Sequence, residues 1–144
     1  MILHPWTVAV VVAVAAMGGC ATAPRGVPQV AATPVSDNTA VAALVSQARA
    51  DLEAGRRDRA AAAVERALRI EPRNGLLWHE LARVRLADGQ YPQAEQLAAK
   101  SNSFAAANKP LKAANFRLIA EARAARGDSD GARAALDEAA ELDN

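Results

Sequence analysis

Few side chains in this sequence could take part in catalysis. Cys20 is the single cysteine, and the two histidines are His4 and His79. A serine or cysteine nucleophile needs a base and an orienting acid beside it, and no serine lies near His79 in the sequence. A zinc site needs several histidine or cysteine ligands, and these are missing. The sequence therefore predicts no enzyme, with no catalytic residues, no metal site and no cofactor.

The most regular feature of the chain is a set of apolar and small residues that recurs in register. Each set begins with a residue that is usually bulky, and its next two members stand three and four positions after it. A glycine follows, and the last two members are four positions apart. The set returns after 34 and then 38 residues, which is typical of stacked structural repeats. The three sets are Leu44, Gln47, Ala48, Gly55, Ala60 and Val64; Trp78, Leu81, Ala82, Gly89, Ala94 and Ala98; and Phe116, Ile119, Ala120, Gly127, Ala132 and Leu136.

These slots resemble the tetratricopeptide repeat, whose pattern is W-x2-L-G-x2-Y, then A-x3-F, then P. The resemblance implies an all-α fold, a right-handed α-solenoid of three helix-turn-helix units at 41–74, 75–112 and 113–144. All the slot residues except Gln47, Ala98 and the three glycines are expected to form the repeat core. The six helices are expected at about 39–54, 57–70, 75–88, 91–106, 110–126 and 129–142. The alternative, a plain alanine-rich helical bundle, would not repeat these slots in register.

The second unit departs from the family pattern at its end. Ala106 stands where the repeat has its closing proline, and four extra residues separate units two and three. These extra residues fall near 104–112, so they lengthen either the second helix of unit two or the loop that follows it. Asn108-Lys109-Pro110 predicts a break there, with proline in the first turn of the next helix.

The N-terminal sequence indicates export and lipidation. Residues 6–16 form an uncharged apolar run, too short to span a bilayer and typical of a signal-peptide core. Met17-Gly18-Gly19-Cys20 follows and resembles the bacterial lipobox, which implies a signal peptide at 1–19 and a lipid on Cys20. The alternative is an ordinary secretory signal with a chance cysteine. By resemblance to the sorting rule of Gram-negative lipoproteins, Ala21 favours the outer membrane. Residues 20–38 contain three prolines and are expected to be a flexible tether before the repeat domain at 39–144.

The charge of the chain is nearly balanced overall and uneven along its length. The net charge of +1 argues against nucleic acid as a partner, as does the lack of a basic stripe interleaved with aromatic residues. Residues 49–85 contain nine arginines against six acidic residues, whereas residues 128–143 contain six acidic residues and only Arg133. These charges belong either to solvated helix faces or to binding surfaces.

A binding groove is implied by the resemblance, because the first helices of tetratricopeptide units line a concave face. Counting the slots beside the packing stripe predicts a groove formed by Arg49, Leu52, Leu76, His79, Arg83, Leu86, Arg117 and Glu121, with alanine or valine in the other slots. Leucine together with arginine suits a partner segment that carries an acidic group, because arginine binds carboxylates through two hydrogen bonds. The alternative is that the leucines are buried between units and the arginines pair with acidic residues of their own helices.

Three functions are compatible with this layout. The lipobox, the short tether and the three-repeat domain look like the tetratricopeptide-type lipoproteins that activate bifunctional penicillin-binding proteins, the enzymes that build peptidoglycan. That resemblance implies a periplasmic protein partner and a membrane attachment through the lipid. A second possibility is a pilotin or assembly factor for an outer-membrane secretin, pilus or barrel. A small-ligand carrier is the third, although narrow alanine packing leaves little room for a cavity.

Overall fold

The computed structural model describes residues 34–144. The expected signal peptide, Cys20 and the tether up to residue 33 lie outside the described residues. Within residues 34–144 there are six α-helices and no strand, as the repeat pattern predicts. The helices are α1 (Thr39–Glu53), α2 (Arg57–Ile70), α3 (Gly75–Ala87), α4 (Tyr91–Phe104), α5 (Lys109–Ala125) and α6 (Ser129–Asp143). Unit one is α1 and α2, unit two is α3 and α4, and unit three is α5 and α6.

The first helix of every unit begins and ends with the same local chemistry. Asn38, Asn74 and Asn108 are the N-cap residues of α1, α3 and α5, and each side chain accepts a hydrogen bond from a free backbone N–H of the first turn. After each of these helices the chain turns at a glycine with positive φ, between 72° and 83°. A residue with a Cβ is strained in that conformation. The repeated glycine therefore specifies where the hairpin of each unit turns.

The helices stack in sequence order. Every helix packs against the next one, and α1 also contacts α3 as α3 contacts α5. Among the described residues, α2 and α4 make no such contact, nor do α4 and α6. The first helices are therefore closer together than the second helices, which makes the side formed by α1, α3 and α5 the concave one.

Alanine and valine fill much of the core. Ala60, Val64, Ala82 and Ala94 are completely buried, and two apolar clusters run through the stack. Nine of the thirteen predicted core residues are buried, namely Ala48, Ala60, Val64, Leu81, Ala82, Ala94, Ile119, Ala120 and Ala132. The bulky Leu44, Trp78 and Phe116 are half-buried at the edges of the clusters.

Leu136 does not belong to the core, contrary to the sequence prediction. Its side chain is 51% exposed, whereas Val64 and Ala98, at the same slot of units one and two, are completely buried. In units one and two the helix of the following unit covers this slot. No helix follows α6 in the described structure, so the same position faces solvent.

The extra four residues lie neither in the second helix of unit two nor in the loop after it. Helices α2 and α4 both have 14 residues, whereas α5 has 17 residues and α3 has 13. The Asn108 cap and Pro110 start α5 one helical turn ahead of the repeat register. The insertion is therefore an additional first turn of α5. In the loop before it, Ala106 adopts a left-handed φ of 46° in place of the family's proline.

Contacts with the repeat domain begin before α1. Val35 packs against the first apolar cluster, and its carbonyl accepts a hydrogen bond from the Asn74 amide. Ser36 donates a hydrogen bond to the Glu71 carboxylate. These contacts fasten the entry of the chain to the loop between units one and two, four residues ahead of the start expected at residue 39.

Candidate protein-interaction groove

A cleft of about 420 Å³ runs along the concave side, across all three first helices. It is lined by Leu52 of α1, by His79, Arg83, Leu86 and Ala87 of α3, and by Ala114, Arg117, Leu118 and Glu121 of α5. Six of the eight residues predicted for the groove are among them. Arg49 and Leu76 do not line this cleft; Arg49 is exposed beside it, and Leu76 is half-buried at the start of α3.

Ala87 and Leu118 also line the cleft, although the repeat slots do not predict them. Leu118 lies one helical turn after Ala114, on the same face of α5, so a wider stripe on that helix would have included it. Ala87 is the last residue of α3, where the groove ends. With Leu52 and Leu86, these residues give the groove an apolar floor beneath its charged rim.

The arginines of units one and two converge on a buried carboxylate. Glu80 of α3 is only 4% exposed, and its Oε1 accepts a hydrogen bond of 2.9 Å from Arg49 Nε of α1. Its Oε2 accepts one of 3.0 Å from Arg83 Nη1, one turn along the same helix. The carboxylate therefore joins two units. Arg49 and Arg83 are less available to a ligand, because releasing them would leave the buried Glu80 carboxylate without its charged partners.

Arg117 of unit three is more accessible to a ligand. It pairs with Asp143 near the end of α6, and both side chains are about half exposed. Exposed ion pairs contribute little to stability, so a ligand carboxylate can replace Asp143 at small cost. Glu121, one turn away on α5, is the only carboxylate among the described residues that line the cleft. The charge at this end of the groove is therefore mixed.

His79 is held in the groove wall by a buried chain of hydrogen bonds. Asn115 of α5 is completely buried, and its amide nitrogen donates to Ser101 Oγ at 2.7 Å and to Asn102 Oδ1 at 2.8 Å. Its oxygen therefore faces His79 Nδ1, 2.7 Å away, which must carry the proton. Ser101 in turn donates to the carbonyl oxygen of Gly75. Asn115 stands beside the predicted core residue Phe116, and the repeat pattern carries no signal for its role.

Burial lowers the pKa of His79 and therefore favours its neutral form. Desolvation lowers the pKa of His79 below its usual value of 6.5, and the positive charges of Arg83 and Arg49 act in the same direction. The Asn115 hydrogen bond and the Glu80 carboxylate oppose this shift without cancelling it. With the proton on Nδ1, the Nε2 lone pair is an acceptor that has no partner among the described side chains.

The remaining chemistry of residues 34–144 is limited. No group of three or more histidine, cysteine, aspartate or glutamate side chains in this part of the chain is placed to hold a metal ion. No helix in the same part is long and apolar enough to cross a bilayer. The groove thus offers leucine contacts, an accessible arginine and a histidine acceptor. These groups suit recognition of a polypeptide segment.

Comparison with known proteins agrees with the repeat pattern. Residues 51–114 match the family model of the tetratricopeptide repeat. The structure superposes on the globular C-terminal domain of LpoP from P. aeruginosa with a TM-score of 0.70 and 40% sequence identity. That match covers 72% of this chain and 98% of the LpoP domain. No curated protein matched the sequence.

The chain therefore belongs to the tetratricopeptide repeat family, whose stacked helix pairs form extended concave surfaces for protein partners. Within that family it is similar to the LpoP domain over almost the whole of that domain's length.

Proposed function

We propose that this protein is a non-catalytic scaffold of the bacterial cell envelope, which docks a segment of a protein partner in its concave groove. The observation that carries this proposal is the groove itself. Leucines from three successive units line it beside Arg117, which among the described residues pairs only with the exposed Asp143. Extended grooves of this kind are where solenoid repeat proteins bind their partners.

The groove favours an amphipathic segment that carries one carboxylate. Leu52, Leu86 and Leu118 are placed to contact apolar side chains of the segment. Arg117 binds the carboxylate by releasing Asp143, so we assign this role to one of the three arginines that the sequence predicts for the groove. His79 Nε2 accepts a hydrogen bond from a donor of the segment, such as a backbone N–H.

The partner that we propose is a periplasmic domain of a bifunctional penicillin-binding protein. Support comes from the layout of lipobox, short tether and three-repeat domain, and from the similarity to the LpoP C-terminal domain. A lipid on Cys20 would attach the protein to the outer membrane, with the repeat domain facing the periplasm. Residues 20–38 and the repeat domain together would then set how far the groove reaches from that membrane.

Binding to a purified bifunctional penicillin-binding protein tests this proposal. Arg117→Glu combined with Leu86→Asp reverses the charge and removes an apolar contact, so binding should weaken by about tenfold or more. Arg133→Glu on α6 is the matched control, since it changes an exposed arginine outside the groove and should leave binding at the parental level.

The two parts of the proposal fail in different ways. Parental binding by the Arg117→Glu, Leu86→Asp variant would reject the groove and keep the partner. If the parental protein, shown to be folded by circular dichroism, did not bind the penicillin-binding protein, the partner class would be rejected.

A further inference from the structure

Units one and three each have a second cleft, away from the concave groove, between the start of the first helix and the end of the second helix. The volumes are about 490 Å³ in unit one and about 400 Å³ in unit three. Corresponding repeat slots line the two clefts. The pairs of equivalent residues are Leu44 and Phe116, Arg66 and Glu138, Arg69 and Glu141, and Ile70 and Leu142.

In unit two the equivalent space is filled from within. Trp78 stacks on Phe104 with ring centroids 6.5 Å apart and an interplanar angle of 24°. The Lys100 ammonium, at the slot of Arg66 and Glu138, lies 4.6 Å above the Trp78 ring. The indole N–H donates to the carbonyl oxygen of Pro72. In the middle unit, its own side chains thus cover the surface that is left open in the outer units.

The two open clefts carry opposite charge at equal spacing. Arg66 and Arg69 are exposed, three residues apart on α2, and Glu138 and Glu141 are exposed with the same spacing on α6. None of the four forms an ion pair with another described residue. Lys112, from the additional turn of α5, also lines the acidic cleft but leaves two glutamates against one lysine.

Each cleft also presents apolar surface beside its charges. Ile70 is 47% exposed, one of two large hydrophobic side chains in residues 34–144 with this degree of exposure. Phe116 and Leu142 are half-buried in the acidic cleft. Contiguous exposed apolar area that is rimmed by polar or charged residues marks interaction sites on soluble proteins.

We propose that the occupant of these clefts is a second copy of this chain. In an antiparallel arrangement, the basic cleft of unit one faces the acidic cleft of unit three of the partner copy, and the same contact recurs at the other end. One two-fold axis near α4 generates both contacts, as closed dimers require. Four arginines then meet four glutamates, and the complementary potentials select this orientation over the parallel one, which would oppose like charges.

The dimer leaves the concave groove free, because the two clefts and the groove share no lining residue. Two grooves would then be carried by one particle. A partner with two docking segments, or two partners in one assembly, would be bound with increased avidity. This inference does not depend on which partner the groove binds.

Analytical ultracentrifugation of the chain from residue 21 onward tests the dimer. This chain keeps all the described residues, and its solved relative is itself a globular domain. The weight-average mass should rise toward twice the chain mass as concentration increases, and it should fall back at high ionic strength because exposed charges are screened. Arg66→Glu with Arg69→Glu, or Glu138→Arg with Glu141→Arg, should each weaken dimerisation by about tenfold or more.

The four changes together give the decisive variant, since they exchange the charges of the two clefts and should restore the dimer. Arg57→Glu with Arg73→Glu is the matched control, because it makes the same change of net charge at exposed arginines that do not line the basic cleft. A parental chain that stays monomeric at all concentrations would overturn the proposal. The proposal would also be overturned if the variant with all four substitutions failed to associate while its circular dichroism remained helical. Dissociation of the control variant to the same extent as the cleft variants would overturn it as well.

Discussion

The junction between units one and two and the junction between units two and three are built on the same repeat slots but held by different chemistry. At the first junction, the interior is apolar, with Leu77 completely buried among valine and alanine side chains. Two ion pairs also cross this junction, Arg49 with the buried Glu80 beside the groove and Arg85 with Glu65 between α3 and α2. At the second junction, a neutral polar chain through Asn115 and Ser101 is completely buried. The repeat thus specifies where helices meet, while individual side chains decide how each junction responds to its surroundings.

This difference has a physical consequence for the two junctions. Apolar burial is non-directional and insensitive to pH. A buried hydrogen-bond chain depends on every donor and acceptor being matched, and a missing partner leaves a polar group desolvated. The second junction should therefore be the more selective one, and the lowered pKa of His79 should make it sensitive to protonation as the pH falls below 6.5.

The largest expected effect is at the apolar junction. Leu77→Ala should lower the free energy of unfolding by about 3–4 kcal/mol, because it removes a fully buried side chain and leaves a cavity. Denaturant unfolding followed by circular dichroism measures this loss. Leu136→Ala is the control at an exposed leucine, with an expected change within about 0.5 kcal/mol. Equal losses for the two variants would contradict the assignment of Leu136 to an uncovered surface.

At the polar junction, Asn115→Ala should lower the free energy of unfolding by about 2–3 kcal/mol, since His79 Nδ1 loses its acceptor and Ser101 loses its donor inside the protein. Asn102→Ala removes only a half-buried acceptor that water can replace, so its loss should stay below about 1 kcal/mol. A smaller loss for Asn115→Ala than for Asn102→Ala would show that the buried chain does not hold this junction.

The pH dependence separates the two junctions further. The pKa of His79 in the folded protein lies below the unfolded value near 6.5, so the unfolded chain binds more protons between these two values. Stability should therefore be full above pH 6.5 and should decrease as the pH falls through that window. Nuclear magnetic resonance titration of His79 should show a midpoint below 6.5. His79→Gln should abolish this part of the pH dependence, and a variant with the parental slope would assign the effect to other groups.

The smallest expected effect lies in the loop between α4 and α5, where Ala106 has a left-handed φ. Ala106→Gly relieves about 1 kcal/mol of backbone strain and loses part of that gain to the greater freedom of glycine in the unfolded chain. The variant should be more stable by up to about 0.5 kcal/mol in denaturant unfolding. Ala107→Gly, at a neighbouring position without positive φ, should instead be destabilising. The opposite order would place the strain elsewhere in the loop.

Much of the helical layout could be predicted from the sequence, because its signals are local. The apolar period, the break predicted at Asn108-Lys109-Pro110 and the glycines at Gly55, Gly89 and Gly127 act within one or two turns of the backbone. The predicted helix ends consequently fall within two residues of those observed. The groove was predictable to the extent that it follows from helix periodicity, and six of its eight predicted residues line one cleft.

Other properties depend on which residues of different helices come into contact. Only the tertiary structure decided these properties. Leu136 has a core slot, but its burial needs a following helix. Glu80 pairs with Arg49, which is 31 residues away in the sequence and belongs to another unit. The positive charge available to a ligand is therefore smaller than the number of arginines on α1 and α3 suggests. Asn115 stands beside a core aromatic residue and acquires its role from His79 and Ser101, which lie on two other helices. Local backbone preference thus determined the helices of this protein, whereas long-range packing decided which of their polar groups remain free to bind.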